Sequence, residues 1–257
     1  ETTTEVTTSK IIEKQTKPIT EKITEQTTSK VTEQPMGELI TLKDIKHNEA
    51  IDKYLKRASL NLEAMKYTEH GYRHAGLVSS IAENVLLRLE YPKRECELAA
   101  IAGYLHDIGN VIGREYHGQS SALIIIPILT SMGMDLEEIA IIASAVGNHE
   151  EEYGFPVNNV AAAVILADKT DVHRTRVKNK DVMNFDIHDR VSYAAIKSFL
   201  DVSKDDMMIT LSLTIENDIC PVMEYFEIFM NRMIMCRKAA ASLDCKFSLQ
   251  INGAVLL

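Results

Sequence analysis

The sequence predicts a mainly α protein with a small α/β appendage of strand, helix and strand at its C-terminal end. Three observations carry this. Apolar residues recur at helical spacing from about residue 41 to residue 172, with Gly, Pro or capping residues between the runs. Met207 to Ile215 (MMITLSLTI) and Lys246 to Ile251 (KFSLQI) instead alternate apolar with polar residues and are rich in strand-forming side chains. Between them, Pro221 to Leu243 reads as one long helix opened by a proline, whose fixed φ suits a first turn.

Residues 1–36 differ in texture from all of this. They are rich in Thr, Glu and Lys and repeat TTSK at Thr7 and Thr27. So few large apolar groups cannot offset the entropy of ordering a chain, and the segment is expected to be a disordered, low-complexity tail. The expected organisation is this tail, a helical domain over 37–200 and the appendage over 201–257.

Each helix has a local reason. Thr41 can cap a helix that continues to Glu69, with Ile45, Leu55 and Leu62 on its apolar side. A second runs from Tyr72 to Leu89 and must stop before Pro92, which disfavours helix in the residue preceding it. Lys93 to Leu105 is alanine-rich and apolar enough to be central, and it places His106 and Asp107 at its end, just ahead of Gly109. His117 to Ser131, Asp135 to Asn148 and Val160 to Val172 complete the helical part.

Composition limits the function. A net charge of −9 argues against polymeric nucleic acid or an anionic membrane surface, since both recruit clustered Lys and Arg. The most apolar stretch, Ala122 to Leu129, contains Pro127 and is far short of the roughly 18 residues that span a bilayer. Cys96, Cys220, Cys236 and Cys245 form no CxxC pair and suggest reduced, mostly buried thiols of a cytoplasmic protein. The chain opens on Glu1 rather than Met, as a fragment or a processed product would.

The chemistry lies in an ordered series of donors: His74, His106 with Asp107, His117, His149 and Asp168. Imidazole and carboxylate together suit a divalent transition metal. A helical bundle can bring such positions to one interior point. Taken singly, a buried histidine is more often a hydrogen-bonded core residue than a ligand; the order and the flanking segments give the series its weight. His47, His70, His173 and His188 fit no ligand position, and the run Glu150, Glu151, Glu152 reads as an exposed loop.

Those flanking segments resemble the HD superfamily of metal-dependent phosphohydrolases: GYRHAG around His74, YLHDIGN around His106 and Asp107, YHGQSSA around His117, VGNHEE around His149 and ILADKTDVHR around Asp168. The resemblance covers roughly residues 70–176. It implies a helical HD bundle in which His74, His106, Asp107 and Asp168 hold one metal, while Asp107 bridges to a second held by His117 and His149, as in the binuclear branch. It further implies hydrolysis of a phosphoester or phosphoanhydride bond of a small nucleotide or phosphorylated metabolite by a metal-bridging hydroxide, with iron or manganese as the metals.

Asp107 and Lys169 are then the catalytic candidates, and Lys169 and Arg174 the candidate phosphate contacts. Asp171, one turn beyond Asp168, could orient a ligand or a basic group. The GYP segment of cyclic-dinucleotide phosphodiesterases does not follow the HD pair. Two alternatives share the ligand set: a di-iron oxygenase of HD type, and a metal-containing ligand-sensing module. A homo-oligomer is compatible with all three.

Overall fold

The computed structural model describes residues 39–178 and 185–256, so the expected tail over residues 1–36 lies outside the described residues. The body is a helical bundle of α1 (Leu42–His47), α2 (Glu49–Ala64), α3 (Tyr72–Arg88), α4 (Lys93–Leu105), α5 (His117–Met132), α6 (Leu136–Gly147) and α7 (Asn159–Thr170). Short 3-10 turns at Ile108–Val111 and Arg174–Arg176 follow α4 and α7. α8 (Ile187–Ala194) leads into a sheet built of β1 (Ala195–Ser203), β2 (Met208–Ile215), β3 (Lys246–Ile251) and β4 (Ala254–Val255), with α9 (Val222–Ser242) between β2 and β3.

Helices α4 and α7 are the centre of the bundle. Leu98 to Leu105 and Val160 to Ala167 are buried without interruption, so both helices face protein on every side. Their small residues let neighbours approach closely. At Gly103 an added Cβ would stand 3.0 Å from the Ser79 backbone of α3, and the Ser79 hydroxyl donates to the Ala100 carbonyl at 2.8 Å. That contact brings the start of α3, with His74, alongside the end of α4, with His106.

The sheet has the order β1-β2-β3-β4, antiparallel except for β2 and β3, which are parallel and joined across α9. Ile209, Leu211 and Leu213 pair with Phe247, Leu249 and Ile251 to form its buried face. α9 packs both on this sheet and on α7, which ties the appendage to the helix that carries Asp168. Among the described residues no helix is long and apolar enough to cross a membrane.

The sequence expectations for α3 to α7, β2, α9 and β3 agree with these bounds to within two residues. Three differ. The helix expected from Thr41 to Glu69 is two, because the Asn48 backbone is extended (φ −76°, ψ 121°) and its side chain accepts from Ala50 N and Ile51 N, capping a new start. That second helix then ends at Ala64, two residues before Lys66 takes a left-handed φ of 63°. β1 is the third: a boundary at residue 200 would cut this strand in its middle. Its sequence AIKSFLDVS hides the alternation because the register slips between Ala195 and Lys197, which leaves Ile196 out of step.

Candidate metal centre

The six expected donors converge. His74 Nε2 lies 3.1 Å from His106 Nε2, 3.5 Å from Asp107 Oδ2 and 3.3 Å from Asp168 Oδ1. His117 Nε2 lies 3.1 Å from His149 Nε2 and 3.2 Å from Asp107 Oδ1. The donor atoms of His74, His106 and Asp168 lie within 4.8 Å of one another, as do those of His106, Asp107 and His149. The four imidazoles and Asp107 are buried.

Each ring is turned by what its Nδ1 meets. His106 Nδ1 donates to the Gly103 carbonyl at 2.8 Å, His117 Nδ1 to that of Arg114 at 2.9 Å and His149 Nδ1 to that of Val146 at 2.7 Å. A carbonyl can only accept, so these Nδ1 atoms carry hydrogen and the Nε2 lone pairs face inward. His74 Nδ1 meets a carboxylate instead, Asp171 Oδ2 at 2.7 Å, and Asp171 is itself held by Arg73 at 2.7 Å. Glu150 Oε2 lies 3.1 Å from His117 Nδ1, while its other oxygen accepts from Gly118 N.

Two inward lone pairs 3.1 Å apart repel unless a cation lies between them. A proton on one ring, or a metal ion, relieves that repulsion. Burial opposes the charge on His117, but Asp107 and Glu150 outweigh it and raise the imidazole to about 9. Burial likewise opposes charge on His74, and Asp168 and Asp171 overcome it upward. Burial, with His117 next to it, pushes His149 down to about 3. Burial works against ionised Asp107, yet His106 and His117 hold its carboxyl well below the usual range.

A divalent metal fits the same donors. Asp107 Oδ2 is buried and has no hydrogen-bond partner among the described residues, a costly state for a carboxylate oxygen unless a cation satisfies it. It faces His74 and His106, whereas Oδ1 of the same group faces His117 and accepts from Asn110 Nδ2 at 2.9 Å. One carboxylate therefore looks toward two groups of donors.

The turn that presents Asp107 has little freedom. Gly109 N donates to Ser121 Oγ at 2.7 Å, and that hydroxyl donates to the His106 carbonyl at 2.6 Å. An added Cβ on Gly109 would overlap the His117 carbonyl oxygen, so only glycine lets the His-Asp turn lie against the start of α5. Tyr116, left-handed at φ 54°, turns the chain so that His117 opens that helix.

Residues 67–173 match the HD domain family model. The chain carries an HD domain. No curated protein matches the chain. The HD superfamily is one of metal-dependent phosphohydrolases, and the matched segment contains every donor described above.

A cavity of about 730 Å³ opens from the HD domain's donors. It lies within the 300–1,000 Å³ of small-molecule sites. The structure corrects two of the residues named from the sequence, Lys169 and Arg174. Lys169 reaches the cavity, but its ammonium sits between Asp168 Oδ2 at 2.7 Å and Glu151 Oε2 at 2.6 Å with its side chain 4% exposed. It holds Asp168 in place and is not free for phosphate. Arg174 does not line the cavity: its guanidinium pairs with Glu216 at 2.8 Å and lies over the Tyr193 ring, because the chain leaves α7 and turns toward the sheet.

Other cations stand where Arg174 was expected. Arg114 Nη1 lies 3.4 Å from His117 Nε2, Arg176 spends its guanidinium on the Glu69 and Asp171 carbonyls, and Arg232 reaches in from α9 to Glu151 at 3.1 Å. Arg114 had a signal, three residues ahead of a ligand. Arg232 had none, lying in a segment without a motif. His70, which fits no ligand position in the sequence, lines the cavity with its ring centroid 5.3 Å from that of His74. Glu150 and Glu151 are half-buried supports of the site, and of the expected exposed run only Glu152 is exposed.

Proposed function

We propose that this protein hydrolyses a phosphoester or phosphoanhydride bond of a small nucleotide or phosphorylated metabolite, with two metal ions held across Asp107. The observation that carries the reading is the divided Asp107 carboxylate: Oδ2 faces His74 and His106, with Asp168 Oδ1 3.3 Å from His74, and Oδ1 faces His117, with His149 3.1 Å from His117. The first set would hold one metal and the second set the other. Iron or manganese suits mixed imidazole and carboxylate donors with open positions. Bound metal of this kind supplies Lewis acidity toward phosphoryl oxygens and a nucleophile available at neutral pH.

The protein's own part is to position and to neutralise. Asp171 fixes the ring of His74, and Glu150 stands behind His117. Lys169 holds the second oxygen of Asp168, leaving Oδ1 directed inward. The stacked rings of Tyr116 and Tyr153, 4.9 Å apart and both about half exposed, line the same cavity and give a flat organic group a face to lie on.

The test is metal analysis of freshly purified protein followed by phosphate release from a panel of nucleotides and sugar phosphates, with oxygen uptake followed in parallel. Two metals per chain with phosphate release under anaerobic conditions is the expected result. One metal with phosphate release would leave a mononuclear hydrolase. Oxygen uptake by the iron-loaded protein with no phosphate released would establish the oxygenase alternative in its place, and inertness in both assays the sensing module.

A further inference from the structure

The cations that line the cavity differ in what their donors already do. Arg176 uses Nε, Nη1 and Nη2 on carbonyl oxygens, and Lys169 is enclosed by two carboxylates. Arg232 is otherwise: only Nε is committed, to Glu151 Oε1, and its two Nη groups have no protein partner among the described residues. Glu151 and the Phe229 ring, 4.6 Å from the guanidinium, fix the side chain, so the free edge is presented rather than mobile. Two further cavity-lining cations are only weakly engaged among the described residues, Arg114 and the exposed Lys66. The Arg114 guanidinium packs over Tyr67, and among the described residues its Nη1 makes long contacts, 3.4 Å to Asn110 and His117 and 3.9 Å to Asp107 Oδ1.

The positions of the two arginines are complementary. Arg114 stands beside the donors His117 and Asp107 Oδ1, while Arg232 stands beside Lys169 and Glu151, next to Asp168. A forked guanidinium edge without a partner matches two oxygens of a phosphoryl group, which a single ammonium does not. We infer that Arg232 is a phosphate-binding residue of the site, gripping the anionic group at the end opposite Arg114, so that the C-terminal unit supplies part of the substrate pocket.

This rests on the phosphohydrolase reading, and the test separates the two. Inorganic phosphate is titrated by calorimetry into manganese-loaded full-length protein, with metal content measured on the same samples. Arg232→Met should weaken phosphate binding by at least about tenfold, the size of a lost charge-assisted contact, with metal content unchanged. Arg232→Lys, which keeps the charge beside Glu151 but not the fork, should weaken it by about threefold. If Arg232→Met loses metal or stability, the Lys variant decides: weakened phosphate binding upholds the assignment and unchanged binding overturns it. Wild-type affinity in both variants, with the wild-type protein binding phosphate, overturns Arg232 alone. No phosphate binding by the wild-type protein overturns the hydrolase reading and this assignment together.

Discussion

The floor of the cavity and its cationic wall are assembled by different means. Three of the four floor histidines are turned by a carbonyl three residues earlier in the chain: Gly103 for His106, Arg114 for His117 and Val146 for His149. Their orientation is local and travels with the motif. The wall is built from segments far apart, with Arg232 meeting Glu151 across 81 positions and Arg176 meeting Glu69 across 107. His74 stands between the two cases, a motif residue aimed by Asp171 from 97 positions away. Donors whose aim is set locally can be read as a pattern, whereas groups aimed by distant partners need the fold.

The comparison predicts that the floor fails all at once. Asp107→Ala removes a carboxylate that both donor groups use, so metal content should fall below one per chain and phosphate release should be lost, while helicity measured by circular dichroism persists. Retention of two metals by this variant would sink the shared-carboxylate assignment. Asp171→Asn should do less, because an amide oxygen can still accept from His74 Nδ1 but no longer strengthens the ring as a ligand. A loss of about 10–100-fold in metal affinity is expected, read by competition with a chelator. An unchanged affinity would mean that His74 is held by packing alone.

How much was legible follows the same division. The donors and their order could be read because the residues beside them serve the same turn: Gly109 is there for the His117 carbonyl, and the small residues of α4 and α7 are there to let the helices meet. Arg174 shows that nearness in sequence does not fix direction. Six residues beyond Asp168 the chain has already left α7, and a guanidinium that looks close in sequence serves Glu216. In sequence Glu151 looks like part of an exposed run, because a run of acids carries no mark of its partners, which here are Lys169 of α7 and Arg232 of α9. The strand β1 was hidden by one residue of slippage.

The wall should answer to pH where the floor answers to metal. Burial works against ionised Glu151, but Lys169 and Arg232 outweigh it and hold the carboxyl at about 2, below its ordinary 4.5. A depressed carboxyl contributes stability that is complete above the unfolded value and is lost as pH falls toward the folded one. The advantage of wild type over Glu151→Gln in urea unfolding should therefore be constant from pH 7 to about 5 and shrink steadily below 4.5. A difference that stays constant down to pH 3 would mean that the ion pairs add nothing beyond packing.

The smallest effect is expected at Arg174. With Lys169 it is one of the two basic residues that sequence position nominates for phosphate, and its guanidinium is occupied by Glu216 and Tyr193 outside the cavity. A half-exposed pair of this kind contributes little to stability. Arg174→Met should leave phosphate affinity within about twofold of wild type under the conditions in which Arg232→Met loses at least about tenfold. The reverse ranking would mean that the guanidinium swings away from Glu216 when phosphate binds, and the wall would then have to be redrawn with Arg174 in it.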